Sequence, residues 1–435
     1  MNSPRPGRRR FAALALSIPL WRALADGATA GNVSIKDFGA VADDATVNTK
    51  AIQAAIDHVA AGGGGTVVVP QGIFVSGALF LKPKVNLHLE KDAVLKCSTD
   101  MSNFPVQRTR IEGHFEEKFN PGLINAKNCD GLRISGEGTF DGAGRPIWDL
   151  FWKMRAAAPD PRNFPNVGVP RARMAIIENS HNVTVEGITF KDSQYWNLHL
   201  YKCDGVTVRQ ARFQVPDDYK QAPSTDGIDL DSCQNVTVDG CYFSVTDDCI
   251  AAKGSKGIHA AEDKDSPPVE HIRVRNCTFK RGNGIVTLGS EATLVRDVVV
   301  ENCKVIGGVT IAVLKLRPDT PQHYEDIHFR DITLDYAGGG TIVSCRPWSQ
   351  YVNLQGATPP KSVVRNVTMT GVKGRFGSFG TIQPNPGQTD ISDITFKDFD
   401  VTLGKDKLTA SGISNLKFDH VIVNGKEVSA PAMQG

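Results

Sequence analysis

Residues 224–253 read STDGIDLDSCQNVTVDGCYFSVTDDCIAAK, and two phrases in that stretch, TDGIDL and DDCIAA, run in matching phase, so that Asp226 falls in register with Asp248 22 residues later. Setting one carboxylate against another is costly, because like charges a few ångströms apart resist joint ionisation. Asp247 adds a third acid at the same place. Crowding of this kind serves acid–base chemistry: one carboxyl stays protonated as a donor while ionised neighbours activate a water. Alone, Asp226 reads as a turn former, since Asp is common at strand corners. Its registration with Asp247 and Asp248 is what points to catalysis.

The same phase continues downstream. RGNGIVTLGSE places Val286 and Leu288 inward and Asn283 next to Asp247; VLKLR places Leu314 and Leu316 inward, which sends Lys315 and Arg317 to the face the acids occupy. Acids followed two coils on by a pair of cations suit hydrolysis of a sugar acid, with carboxyls for proton transfer and cations for the substrate carboxylate. Room for a water implies inversion of configuration, with acid and base roughly 6.5–9.5 Å apart. His199, in YWNLHLYK, projects outward one coil before Asp229 and is either a subsite residue or a surface histidine. Arg346, in SCRPWSQY with Trp348 and Tyr351 nearby, is a candidate for a sugar platform. Asp229 and Asp231 lack the glycine and glutamate of a calcium loop and read as a cleft floor or solvated face, with Lys253 pairing with Asp231. No metal site and no cofactor are expected.

The elements that would hold these residues repeat. CDGLRISGEGTF (129), HNVTVEGITF (181), CQNVTVDGCYF (233), YEDIHFRDITL (324) and ISDITFKDFDV (391) are each a short alternating strand, a polar or glycine corner and a second short strand, mostly spaced 22 to 30 residues apart. Strands this short bury a core only by stacking coil on coil, so the chain is expected to be all-β, a parallel β-helix. Asn at the corners suits the bends, because Asn tolerates the left-handed conformation. VNTKAIQAAIDHVAA, about residues 47–61, has apolar residues at helical spacing before GGGG and is expected to cap the N-terminal end. The insertions at about 143–173 and 254–269 are expected to wall the cleft.

Composition is that of an ordinary globular protein, with 22% charged and 40% hydrophobic residues among 435. Residues 1–30 differ: Arg8-Arg9-Arg10-Phe11, a short apolar run and Ala28-Thr29-Ala30 read as a twin-arginine-like export signal, with a catalytic domain at 31–435 and a periplasmic or secreted destination. Removing that segment's five Arg and one Asp leaves 44 basic and 46 acidic residues, so no basic surplus points to nucleic acid. No membrane association is expected after processing, and the chain is expected to act as a monomer. Nine cysteines leave at least one unpaired, and their place in the repeat favours packed thiols over a disulfide framework.

These motifs resemble glycoside hydrolase family 28, the polygalacturonases and their relatives. The family's Asn-Thr-Asp corresponds to Ser224-Thr225-Asp226, its Asp-Asp to Asp247-Asp248, its Gly-His-Gly to Gly282-Asn283-Gly284 and its Arg-Ile-Lys to Lys315-Leu316-Arg317; VSIKDFGAVADDATVNTKAIQAAI and GTFDGAGRPIWDLFW are similar to its bacterial branch. The resemblance implies a right-handed β-helix, no cofactor and inverting hydrolysis of pectic polysaccharide. It further implies Asp247 as general acid, Asp226 and Asp248 as the pair holding the water, and Lys315 and Arg317 as ligands of the sugar carboxylate. Asn283 in place of His and the reversed cation order depart from the pattern and suggest rhamnogalacturonan, or cleavage from a chain end, as alternatives to plain polygalacturonate. A non-catalytic carbohydrate-binding β-helix is the reading from a different class.

Overall fold

Each coil of the chain lays down up to three short strands, and each strand pairs in parallel with its counterpart one coil on. Thus Leu198–Tyr201 pairs with Ile228–Asp231, Asp204–Arg209 with Gln234–Asp239 and Arg212–Gln214 with Tyr242–Ser244. In this computed structural model, which describes Met1 and residues 31–432, the coils join 33 strands into one continuous sheet. That is a parallel β-helix, as the repeat requires. The expected export signal falls at residues 1–30, which apart from Met1 lie outside the described residues. Among the described residues no helix is long and apolar enough to cross a membrane.

Alternation along each strand sends one set of side chains inward, where they stack on the same position of the next coil. Phe190, Phe213, Phe243 and Phe279 form such a column, with ring centroids 4.8, 5.0 and 5.1 Å apart and planes nearly parallel. The spacing is the ~4.8 Å pitch of adjacent strands. All nine cysteines are buried and unpaired, filling gaps as small apolar groups. At the corners Asn182, Asn235, Asn276, Asn302 and Asn366 have φ of 53–56°, the left-handed region that Asn occupies at low cost.

The open end of the core is closed by helix α1 (Thr49–Ala61), which buries Ile52, Ala55, Ile56 and Val59 and stops at Gly62. Its preceding residue Asn48 spends its side chain on the loop before it, bonding Val41 N and O and Thr46 O. A second helix, α2 (Arg145–Ala156), lies within the first insertion and buries Ile147, Trp148 and Phe151. It carries that insertion against the outside of the coils.

One stack of strands concerns the site: β1 (Leu198–Tyr201), β2 (Ile228–Asp231), β3 (Ile250–Lys253), β4 (Gly284–Leu288), β5 (Thr310–Leu316) and β6 (Thr341–Pro347). They pair in that order, with Ile228 against Ile250, Ile250 against Val286, Val286 against Ala312 and Leu314 against Cys345.

Candidate active site

Corners leading into β2 and β3 carry the acids. Thr225 is fully buried and its hydroxyl lies 2.9 Å from that of Thr246 one coil on, which ties the two corners together. The backbone N–H of Gly227 donates to Asp248 O at 2.9 Å, continuing the ladder. A Cβ on Gly227 would come within 2.4 Å of Cys249 O, so only glycine lets the coils close up immediately after Asp226. As a result Asp226, Asp247 and Asp248 bring carboxylate oxygens within 4.8 Å of one another. This is tighter than the roughly 6.5–9.5 Å expected from inversion. The strand pitch sets it, because Asp226 and Asp248 occupy equivalent places on neighbouring coils.

Around them is a cavity of about 220 Å³, lined by the three acids together with Trp196, Lys253, Asn283, Glu291, Lys315, Trp348, Tyr351 and Glu112 among others. Three segments outside the coils wall it. An antiparallel hairpin (Gln107–Ile111 with His114–Phe119) carries Glu112 at its turn, and Tyr195 donates its hydroxyl to Glu112 at 2.7 Å. The insertion after Asp141 supplies Asn166. The loop after β6 supplies Trp348, Gln350 and Tyr351, and Tyr351 donates to Phe164 O at 2.5 Å, joining the second wall to the third. The insertion at 254–269 lines none of the cavity; it packs beside the turn of the hairpin instead, where Asp263 lies 3.5 Å from Arg110.

The three acids differ in what meets them. Asp248 accepts from Lys315 Nζ at 2.8 Å and from the Thr287 hydroxyl at 2.8 Å. Asp247, half-buried at the mouth, accepts from Asn283 Nδ2 at 3.0 Å and from the backbone N–H of Asp248 at 3.0 Å, both neutral donors. Asp226 has Lys253 Nζ at 3.7 Å. Burial raises the pKa of Asp247, with Asp248 adding to it and Lys315 opposing. Burial also lifts Asp226 well above the usual carboxylate range, with Asp247 and Asp229 adding to it and Lys253 opposing. Both shifts favour the protonated form of these two acids. Lys253 and Lys315 bring positive charge to the cluster.

Several residues singled out from sequence lie elsewhere. Arg317 is 1% exposed and does not line the cavity: it grips Asp319 at 2.9 and 2.8 Å and donates to the carbonyls of Gln350 and Tyr351. Strand alternation stops at Leu316, where β5 ends, so the phase that places Lys315 in the cavity does not extend to Arg317. His199 is neither a surface residue nor a lining one. It is fully buried, accepts from Arg173 Nη1 at 2.6 Å through Nδ1 and turns Nε2 toward Asp231 at 3.5 Å. Burial lowers its pKa to about 4, so it stays neutral at pH 7. Arg346 is exposed beside the register position of Lys315 and does not line the cavity, although Trp348 does.

Asp229 and Asp231 are not solvated either; both are fully buried, Asp231 against Arg110 at 3.1 Å. Lys253 does not pair with Asp231 but with Asp226, Asp229 and Glu291, each at 3.7 Å. Glu112, Trp196, Lys253 and Glu291 are lining residues that sequence reading missed. For Trp196 a signal existed, since two residues before Leu198 is the place equivalent to Asp226, two before Ile228. Glu112 offered none, because it belongs to a hairpin outside the repeat.

The family model for "Glycosyl hydrolases family 28" matches residues 68–422. A protein of Vitis vinifera described as a probable polygalacturonase is 27% identical over 320 residues, covering 70% of this chain and 61% of its own length. The chain thus spans less than two thirds of that relative. A Zea mays exopolygalacturonase is 25% identical over 79% of this chain and 77% of its own. Among solved structures, a hyperthermoactive exopolygalacturonase from Thermotoga maritima superposes with a TM-score of 0.71 at 24% identity, covering 91% of this chain and 92% of the other.

Proposed function

Because the chain belongs to glycosyl hydrolases family 28, we propose that it hydrolyses α-galacturonosyl linkages of pectic polysaccharide with inversion, working from a chain end. The observation that carries this is the meeting of Asp226, Asp247 and Asp248 within 4.8 Å at the base of a cavity walled on three sides. Asp247, held by neutral donors and raised by burial, keeps the proton that the leaving oxygen needs. Asp248, hydrogen-bonded to the Lys315 ammonium, orients a water together with Asp226 for attack on the anomeric carbon. With the acids this close, the water stands on the solvent side of the cluster rather than between acid and base. Trp196 and Trp348 line the cavity beside the sugar, and Lys315, which lies 4.9 Å above the Trp348 ring and bonds Asp248, is the cation placed to meet one substrate carboxylate. The hairpin, the first insertion and the loop after β6 close the cavity around a terminal unit, which supports exo action.

A second reading concerns the neighbouring sugar. Five carboxylates (Glu112, Asp226, Asp247, Asp248, Glu291) face two ammonium groups (Lys253, Lys315) in the cavity, and Arg317 is withdrawn into the protein. That balance favours a substrate with one acidic unit beside a neutral one, as in rhamnogalacturonan. The twin-arginine-like segment and the substrate together favour action outside the cytoplasm.

Product analysis on defined oligosaccharides of galacturonate, and of galacturonate alternating with rhamnose, tests both readings. The expected result is release of terminal units, with the β-anomer appearing first by proton NMR, and a loss of about 100-fold or more in turnover for Asp247→Asn. First appearance of the α-anomer overturns inversion. An Asp247→Asn protein of full rate overturns the assignment of the acid.

A further inference from the structure

Of the three clustered acids, Asp226 is the one whose side chain receives no hydrogen bond among the described residues. Asp248 has a lysine and a threonine; Asp247 has an asparagine and a backbone amide. What Asp226 has is one ammonium, that of Lys253, at 3.7 Å. Lys253 is 6% exposed and lies at the end of β3, with its Nζ 5.0 Å from the Trp196 ring centroid. It is held from the other sides by Asp229 and Glu291, also at 3.7 Å. Three carboxyl groups around one ammonium fix its position without depending on a ligand.

From this geometry we infer that Lys253 is a positioning residue which opposes burial and the neighbouring negative charge at Asp226, and so draws that carboxyl toward the ionised, water-orienting form and divides the roles among the three acids. This rests on the hydrolytic reading above. The charged and titratable groups around Asp226 act in opposite directions. Asp229 on its own strand, and Asp247 and Asp248 from the corner before β3, all disfavour its ionisation. Glu291, after β4, competes for Lys253. Lys315 from β5 is engaged by Asp248 at 2.8 Å. Arg171, in the insertion, lies 3.8 Å from the ring of Tyr195 and donates to Ser224, so it is spent on the corner itself. That Tyr195 hydroxyl is bound to Glu112. Lys253 is therefore the cation that answers the surrounding negative charge at Asp226. Burial works against its own charge, yet Asp226, Glu291 and Asp229 hold its pKa well above the ordinary lysine value, so it remains an ammonium throughout the working range.

The sign of the effect follows. A carboxylate that loses its cation holds its proton to higher pH, so Lys253→Met moves the acidic limb of the kcat/KM profile upward, by about one pH unit or more. Turnover measured on the acidic side falls about tenfold or more and recovers as pH rises, while KM changes little. Lys253→Arg, which keeps the charge, restores most of the wild-type profile. Glu291→Gln removes a competitor for the ammonium and moves the limb the other way. Should Lys253→Met fail to fold, Lys253→Gln, which moves the limb upward, and Glu291→Gln, which moves it downward, decide the matter. An acidic limb that stays in place with a uniformly lowered rate, or a rise in KM alone, overturns the inference and makes Lys253 a structural or substrate-binding residue. A wild-type enzyme with no glycosidase activity on any pectic oligosaccharide would instead sink the hydrolytic reading, so the two failures are distinct.

Discussion

Asn283 stands exposed at the mouth of the cavity, its Nδ2 3.0 Å from Asp247 Oδ1 and its backbone N–H donating to Asp247 O at 2.9 Å. The backbone bond is what places it, so the side chain is free to be chosen for the substrate. An amide can donate to the acid but cannot titrate or carry charge. Replacing it with the family's imidazole should therefore add function without disturbing the coil. Asn283→His is expected to raise kcat/KM on polygalacturonate about tenfold, the worth of one charge-assisted hydrogen bond, and to add a pH dependence near the ordinary imidazole pKa of about 6.5. Activity measured across pH on polygalacturonate and rhamnogalacturonan oligosaccharides checks this. No gain on either substrate would mean that Asn283 is a corner residue without a part in substrate choice.

At the scale of elements, the loop after β6 is held from beneath by Arg317. Its guanidinium is paired with both carboxylate oxygens of Asp319 and reaches the carbonyls of Gln350 and Tyr351, and Asp319 Oδ2 also accepts from Asn353 N at 2.8 Å. Removing one member of a buried pair leaves the other charge unanswered, at a cost of about 3–5 kcal/mol. Arg317→Met is accordingly expected to lower stability by that order in denaturant unfolding and to raise KM several-fold by loosening Gln350 and Tyr351. Arg317→Met combined with Asp319→Leu should recover stability while KM stays high. A normal KM in the double variant would show that the loop is held by other contacts. This pair also marks where sequence phase stops being informative. Within a parallel stack, sequence distance converts directly into position, so the meeting of Asp226 with Asp248 and of Asn283 with Asp247 was legible from spacing alone, as were α1 and the asparagine corners. Arg317 lies one residue past β5, where alternation no longer governs direction. Lys253 chose Asp226, Asp229 and Glu291 over Asp231 because Arg110, from a hairpin with no counterpart in the repeat, had taken Asp231. Segments that fold across the outside of the coils follow their own contacts, and no period announces them.

For the molecule as a whole, the β-helix spreads its interior along an axis, so each coil is stabilised chiefly by the two beside it. The site spans β2 to β5 and the loop after β6, well away from the end that α1 covers. Its crowded carboxylates are thus carried by coils supported on both sides, where the cost of burying like charges is shared with a continuous core. The unpaired thiols of that core have a further consequence. None is near the surface, and burial pushes the Cys345 thiol, for one, up to about 12, far from the reactive thiolate. Alkylating reagents should leave the native protein untouched and modify all nine positions once it is denatured, as read by intact mass. Early modification of a subset would reveal coils that open before the rest. Sulfur scattered from Cys97 to Cys345 thus gives the chain an internal clock, on which the order of unravelling along the axis is written in mass increments.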